Sequence, residues 1–375
     1  MGGMEITMKV AIMGAGIAGL SCAIMLEKNS ITPSIFEKRS CVGDRFVNAE
    51  SMFHILNRPI KDCLPYLKDN FGIVLNPISE VHQIVLHSKN ESGYISGNIG
   101  YLNIRGRQKD SYEIQLKNMV KSPIEYNSKH EYEELCKNFD AVVLATGDGA
   151  YASHLGNYRA DMSCTVRGAT IVGEFQKDTP HVWFNYEVLP KGYGWVIPYS
   201  EKEANVVMFY PDYPSITKMD INQMWDNFYA LVTKSFHQSF KITDKFEVTR
   251  YMVGICNKPK IENTYFTGNC FGAISPGFGF GQLSSILTGV YSAYDICGVG
   301  DYEELTKPLF QNYKNSLILR RFLEKLQDSD FDAAVKDLNI KVITRLADFI
   351  CDSRSKIDLL KDTAPILKVI NKFKQ

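Results

Sequence analysis

No charged residue falls between Lys9 and Glu27 in the stretch KVAIMGAGIAGLSCAIMLE, and its apolar positions divide into two patterns. Val10 to Met13 is a short run of strand type. After a turn holding Gly14, Gly16 and Gly19, Leu20 to Leu26 continues with small and apolar residues at helical spacing. The pattern predicts a strand, a tight turn and a helix. A membrane-spanning helix needs about 20 predominantly apolar residues, and this run is shorter and interrupted by glycines. A second strand-like run, Ser34 to Phe36, ends in Glu37.

Two later segments repeat the strand-and-glycine pattern. FDAVVLATGDGA places a buried-strand run from Phe139 to Leu144 before Thr146-Gly147. YFTGNCFGAISPGFGFGQLSSILTGVYSAYDI predicts a strand near Tyr265 to Thr267, a loop rich in glycine, and a helix from about Gln282 to Ile296. Between these segments, residues 164 to 210 run in short apolar stretches (ATIVGEF, HVWFNYEVL, GWVIPYS, ANVVMFY), the signature of an antiparallel sheet. A helix with Met224, Trp225, Phe228, Leu231 and Val232 at helical spacing follows. From about residue 301 the chain reads as helical and charged.

The expected fold class is therefore α/β: a Rossmann-like dinucleotide-binding domain from 1–150 and 251–300, an inserted antiparallel-sheet substrate domain at 151–250, and a C-terminal helical region at 301–375. The closing segment APILKVINKFKQ is expected to place Ile366, Leu367, Ile370 and Phe373 on one side and Lys368, Lys372 and Lys374 mostly elsewhere. Such a basic amphipathic tail suits either a helix docked on the body or peripheral contact with a membrane surface.

The glycines carry the first chemistry. In a strand–turn–helix unit the first glycine permits the turn, the second lets backbone approach a pyrophosphate, and the third lets helix pack on strand. The helix N-terminus then faces the phosphates. A carboxylate about 20 residues further on binds a ribose, and Glu37 stands at that place. Gly14, Gly16, Ala18 and Gly19 with Glu37 are thus candidate dinucleotide-binding residues.

Composition narrows the partners. At 375 residues the chain is long enough for two domains, and 42 basic against 42 acidic residues give zero net charge, which offers no bulk attraction to nucleic acid. Nine cysteines, odd in number and without CxxC, argue against a disulfide framework or zinc site and fit a reducing cytoplasm. The N-terminus lacks the features of a signal peptide, and the seven histidines show no metal-type pairing.

Taken together, the three glycine segments resemble the FAD-dependent oxidoreductases of the glutathione-reductase-like class, in which an N-terminal Rossmann motif, a mid-chain ATG motif and a late GD motif converge on one flavin. The matching residues are Gly14 to Gly19 with Glu37, Ala145-Thr146-Gly147, and Gly268-Asn269; Lys38 and Arg39 complete the EKR of that class. LPKGYGWVIPYS, residues 189 to 200, resembles the YxWxFP motif of the geranylgeranyl reductase family, and SPGFGFGQ resembles its PxxGxG loop.

The resemblance implies FAD as cofactor and reduction of isolated double bonds in a polyprenyl lipid. It implies that Tyr193, Trp195 and Pro198 belong to the isoprenoid pocket, Pro198 ending its strand, and that Gly279, Gly281 and Asn48 lie near the flavin ring. Asp44 and Arg45 belong to the loop over the cofactor, and Arg105 or Arg107 is the arginine beside it. Electrons would come from NAD(P)H or a ferredoxin-type carrier. Three departures stand out: Asn269 replaces Asp, Asn48 replaces a cysteine, and Ile197-Pro198 replaces Phe-Pro. The last lies between this motif and the WxWxIP of flavin-dependent halogenases. Halogenation or aromatic hydroxylation is therefore the alternative, and a non-catalytic flavin-binding subunit a second one, motivated by Asn269.

Overall fold

Val10–Met13 is fully buried inside a six-stranded sheet whose order is Lys260–Ile261, Thr264–Phe266, Ala141–Leu144, Val10–Met13, Ser34–Phe36, Ile124–Glu125. All neighbours run parallel except the first pair. Both faces of the strands are apolar because both are covered. Val10, Ile12, Ile35 and Val143 pack towards helices Ile17–Lys28 and Gln282–Ile296, while Ala11, Met13, Val142 and Leu144 pack with Leu135, Phe266 and Phe271 on the other side. The computed structural model describes residues 8–44 and 47–373, so Arg45 lies outside the described residues.

An eight-stranded sheet has the order Lys241–Cys256, Tyr158–Val172, Glu203–Pro211, Tyr193–Pro198, His181–Trp183, Ser79–His87, Ser92–Arg105, Asn48–Phe53. This membership cuts across the boundaries expected from sequence. Three of its strands come from residues 48–105, inside the span assigned to the first domain, and a fourth extends past residue 250. Chain order misleads here because a strand's ladder partners need not be close in sequence. One face carries helix Ile221–Phe236, whose Met224, Trp225, Phe228 and Val232 meet Val196, Val206 and Met208.

The C-terminal region is helical, with Tyr302–Leu323, Asp328–Asp337, Lys341–Cys351 and Leu359–Phe373. Aspartates tie it to the second sheet. Asp332 accepts from Ser88 Oγ at 2.6 Å and the Asn90 amide at 2.9 Å, and Asp348 accepts from the Ser96 amide at 2.7 Å. The last helix corrects the tail expectation. Leu367 turns into a cluster with Leu319 and Leu360, whereas Ile366 faces solvent, so the apolar positions are divided between two faces. Lys374 lies outside the described residues, and the side chains of Lys372 and Phe373 are not described.

Within the second sheet, His87 Nε2 and His181 Nδ1 lie 3.0 Å apart, stacked with Trp183. One ring must donate and the other accept, so the contact needs neutral imidazole. Burial pushes His87 down to about 4 and, with His87 adding to it, His181 down to about 3. The unfolded chain takes up these protons near pH 6.5, before the folded one does. Stability is therefore complete above that pH and declines as pH falls towards the folded values. The expected slope approaches about 1.4 kcal/mol per pH unit for each histidine. Urea unfolding between pH 7 and 5 checks this, and His181→Gln should remove about one proton's worth of the slope.

Candidate functional site

Three glycine turns meet at the carboxyl ends of the parallel strands, where ligands bind in open α/β sheets. Gly14 has φ +113°, and a Cβ there would stand 2.2 Å from the Ala145 carbonyl oxygen. The first turn therefore lies directly on the second. Asn269 Nδ2 donates to the Gly147 oxygen at 2.9 Å and to Tyr251 Oη at 2.7 Å, while Thr146 Oγ1 contacts Cys270 Sγ at 3.1 Å, joining the second turn to the third. Gly268 completes the set: a Cβ there would stand 3.0 Å from that of buried Ala18. With its amide nitrogen engaged, Asn269 offers a ligand only its carbonyl oxygen.

The glycines of the first turn divide by task. A Cβ on Gly19 would strike the Gly14 oxygen at 2.0 Å, but one on Gly16 would meet no described residue within 4 Å. Gly16 borders open space at the start of helix Ile17–Lys28, whose first turn no side chain caps. Glu37 stands beside it: one carboxylate oxygen accepts from the Ala15 amide at 2.8 Å and the other from the Arg39 amide at 2.9 Å. The following loop folds on itself, with the Arg39 guanidinium on the Asp44 carbonyl and Ser40 Oγ on the Asp44 carboxylate at 2.8 Å. Lys38 is exposed.

A partly buried polar network anchors the start of helix Gln282–Ile296. Gln282 exchanges amide hydrogen bonds with Asn103 at 2.7 and 2.9 Å and donates to Glu50 at 2.6 Å. Arg105 binds Glu50 at 3.0 Å through Nη1 and Glu113 through Nε at 2.8 Å and Nη2 at 2.7 Å. Burial alone would favour a neutral guanidinium, but Glu113 and then Glu50 more than offset it and hold the charge. Every guanidinium nitrogen of Arg105 is thus engaged by protein. Arg107 sits at the surface, paired with Asp244 at 3.4 Å.

Along Tyr193–Pro198 the side chains alternate. Tyr193 and Trp195 share a face with their ladder partners Phe209 and Val207, while Gly194 and Val196 turn to helix Ile221–Phe236. The same alternation puts Pro198 on the helix side. Pro198 ends the strand as expected, yet it does not share the face of Tyr193 and Trp195. Tyr193 lies 4.9 Å from the Phe209 ring, 5.6 Å from Trp195 and 6.3 Å from Phe278. Its hydroxyl is 3.5 Å from where a Cβ on Gly279 would stand, at φ +74°. That places the aromatic face against the Gly279–Gly281 loop. Trp195 Nε1 and Asn48 Oδ1 are buried without hydrogen-bond partners among the described residues.

Comparison with known proteins agrees with this geometry. Residues 12–54 match the family model of an NAD(P)-binding Rossmann-like domain. A geranylgeranyl bacteriochlorophyll reductase-like protein from Thermoplasma acidophilum superposes with a TM-score of 0.68 at 15% identity, over 98% of this chain and 99% of that one. A flavoprotein/dehydrogenase from Cytophaga hutchinsonii gives 0.62 at 15% identity, over 96% and 99%. This chain has the fold of the FAD-dependent oxidoreductases. A flavin-dependent brominase, Bmp2, superposes with 0.61 at 13% identity, over 97% and 99%.

Gly16 borders open space at the start of its helix, Glu37 sets a carboxylate beside that turn, and Asn48 and Trp195 leave an acceptor and a donor unmet among the described residues. The residues present fit a flavin dinucleotide. The sequence motifs do not reveal Glu50, Asn103, Glu113 and Gln282 as members of the site. Gln282 is within reach of sequence reasoning, being the residue after the last glycine of the loop, but nothing local marks the other three as its partners.

Proposed function

We propose that this chain is an FAD-dependent oxidoreductase that reduces isolated C=C bonds of a polyprenyl, geranylgeranyl-type lipid. The observation that carries the reading is the aromatic face of Tyr193, Trp195 and Phe209 set against the Gly279 loop. Gly14, Gly16, Ala18, Gly19 and Glu37 would hold the adenosine and pyrophosphate half of the cofactor, and the loops of Ala145–Gly147, Asn269 and Gly279–Gly281 its flavin half. When bound and reduced, FAD supplies the hydride. Electrons reach it from NAD(P)H or a ferredoxin-type carrier.

An alkene offers no oxygen for the protein to polarise, so Tyr193 and Trp195 contribute by excluding water and holding the chain within about 3.5 Å of the reacting ring. Burial pushes the Tyr193 phenol far above its ordinary value, so it keeps its proton and remains a hydrogen-bond donor. The decisive experiment is anaerobic: the flavin of the purified protein is reduced, a geranylgeranyl lipid is added, and return of the oxidised spectrum is followed. Trp195→Ala should slow that return at least ~10-fold at unchanged FAD content. Loss of FAD instead would make Trp195 a structural residue.

Halogenation or hydroxylation of an aromatic substrate is the second reading, supported by the Trp195-Val196-Ile197-Pro198 run and the likeness to the brominase. It predicts reoxidation only after oxygen is admitted.

A further inference from the structure

The outer surface of the C-terminal helices is apolar where nothing covers it. On Lys341–Cys351, Val342, Leu346 and Phe349 are 76%, 56% and 58% exposed, and on Leu359–Phe373 Ile366 and Val369 are 63% and 53% exposed. The spacings i, i+4, i+7 on the first helix and i, i+3 on the second each trace one stripe. These are not loose segments turned outward. The first helix is pinned on its inner side by Asp348 and by Cys351, which packs with the second sheet's core, and the second by Leu360, Ala364 and Leu367. Both helices lie against the single turn His54–Leu56, so they neighbour one another on the body.

We propose that this face docks onto the surface of a phospholipid bilayer carrying anionic headgroups. Charge selects that occupant. Residues 341–373 hold seven lysines and arginines against four aspartates, and of the four, Asp348 and Asp352 are engaged in holding the helix to the sheet. Arg345 stands within the stripe of Val342, Leu346 and Phe349, with Lys341 at its start and Lys368 beside Val369, all exposed. Apolar side chains entering the acyl boundary, flanked by cations at headgroup level, are the physical requirements for an interfacial helix. A second copy of this chain fits less well, because a two-fold contact would bring this net-cationic patch against an identical one. No helix among the described residues is long and apolar enough to cross a membrane, so contact would be with the surface only.

The apolar run also continues inward. Leu367 and Phe278 share one cluster, and Phe278 stands 6.3 Å from the Tyr193 ring. That continuity bears on the proposed reaction, whereas the docking rests on the surface alone.

The test uses the full-length purified protein and needs no substrate or turnover. Flotation is measured with phosphatidylcholine vesicles and with vesicles that also contain phosphatidylglycerol, at low and high salt. Binding to the anionic vesicles that weakens with salt is expected. The double variant Leu346→Glu/Phe349→Glu should lower it at least ~10-fold at unchanged melting temperature, and Lys341→Glu/Arg345→Glu should abolish the preference for anionic lipid. Absence of vesicle binding overturns the proposal, as does binding indifferent to both double variants. A concentration-dependent dimer in sedimentation that the Leu346→Glu/Phe349→Glu variant disperses overturns it too, by assigning the face to a second copy. None of these outcomes bears on whether the flavin site reduces alkenes.

Discussion

Replacing Arg105 by Met should lower stability by about 2–3 kcal/mol, below the range for a fully buried ion pair because Arg105 and Glu50 keep 22% and 29% of their side-chain surface. Glu113 is 6% exposed and would keep only the Gly106 amide at 3.2 Å, while Glu50 would keep the donors of Gln282 and Asn48. Two carboxylates would then remain near one another without the cation between them. The effect has a signature that simple loss of packing would not show. Arg105→Met/Glu113→Gln should recover more than half of the loss, because the uncompensated charge is removed along with its partner. Because Glu50 also holds Gln282, the single variant should release flavin more readily than wild type. Chemical denaturation of wild type, both single variants and the double variant measures the cycle, and a loss below about 1 kcal/mol would show the network to be dispensable.

Gly16→Val should leave the fold intact and weaken flavin binding by about two orders of magnitude, some 2.7 kcal/mol. Gly16 has φ −84° and ψ −176°, a backbone that any residue adopts, and a Cβ there meets no atom of the described residues within 4 Å. The added methyls would instead occupy the space where backbone must approach a pyrophosphate. Gly14→Ala is the contrast: it combines φ +113° with a 2.2 Å clash against Ala145 backbone, and should fail to fold. The protein-bound flavin spectrum after purification, read beside the melting curve of the cofactor-free protein, separates the two. Full flavin occupancy in a well-folded Gly16→Val protein would remove the phosphates from this turn and with them the assignment of the site.

Much of the framework is legible in the amino-acid sequence. The strand Val10–Met13, the glycine turn and the acid at Glu37 lie within one stretch of chain, as does the helix starting at Gln282, and each is encoded by local periodicity and turn chemistry. The paired face of Tyr193 and Trp195 follows from strand alternation alone. The same rule turns Pro198 away from that face, which a motif read as a block conceals.

Other features depend on partners distant in sequence. Asn48–Phe53 and Ser92–Arg105 belong to the sheet of the second half because of their ladder partners, not their position in the chain. Arg105 and Arg107 look equivalent in the sequence, yet one is locked between two carboxylates and the other is paired at the surface. Glu50 meets Gln282 across 232 residues. In the final helix the apolar repeat foretells a helix, but only docking against Leu319 decides that Leu367 goes inward and Ile366 outward. Short-range periodicity and turn geometry are properties of a segment, and the sequence by itself determines them. Which side of a segment is buried, and which charge finds its partner, is set by surfaces that come together only when the chain has folded.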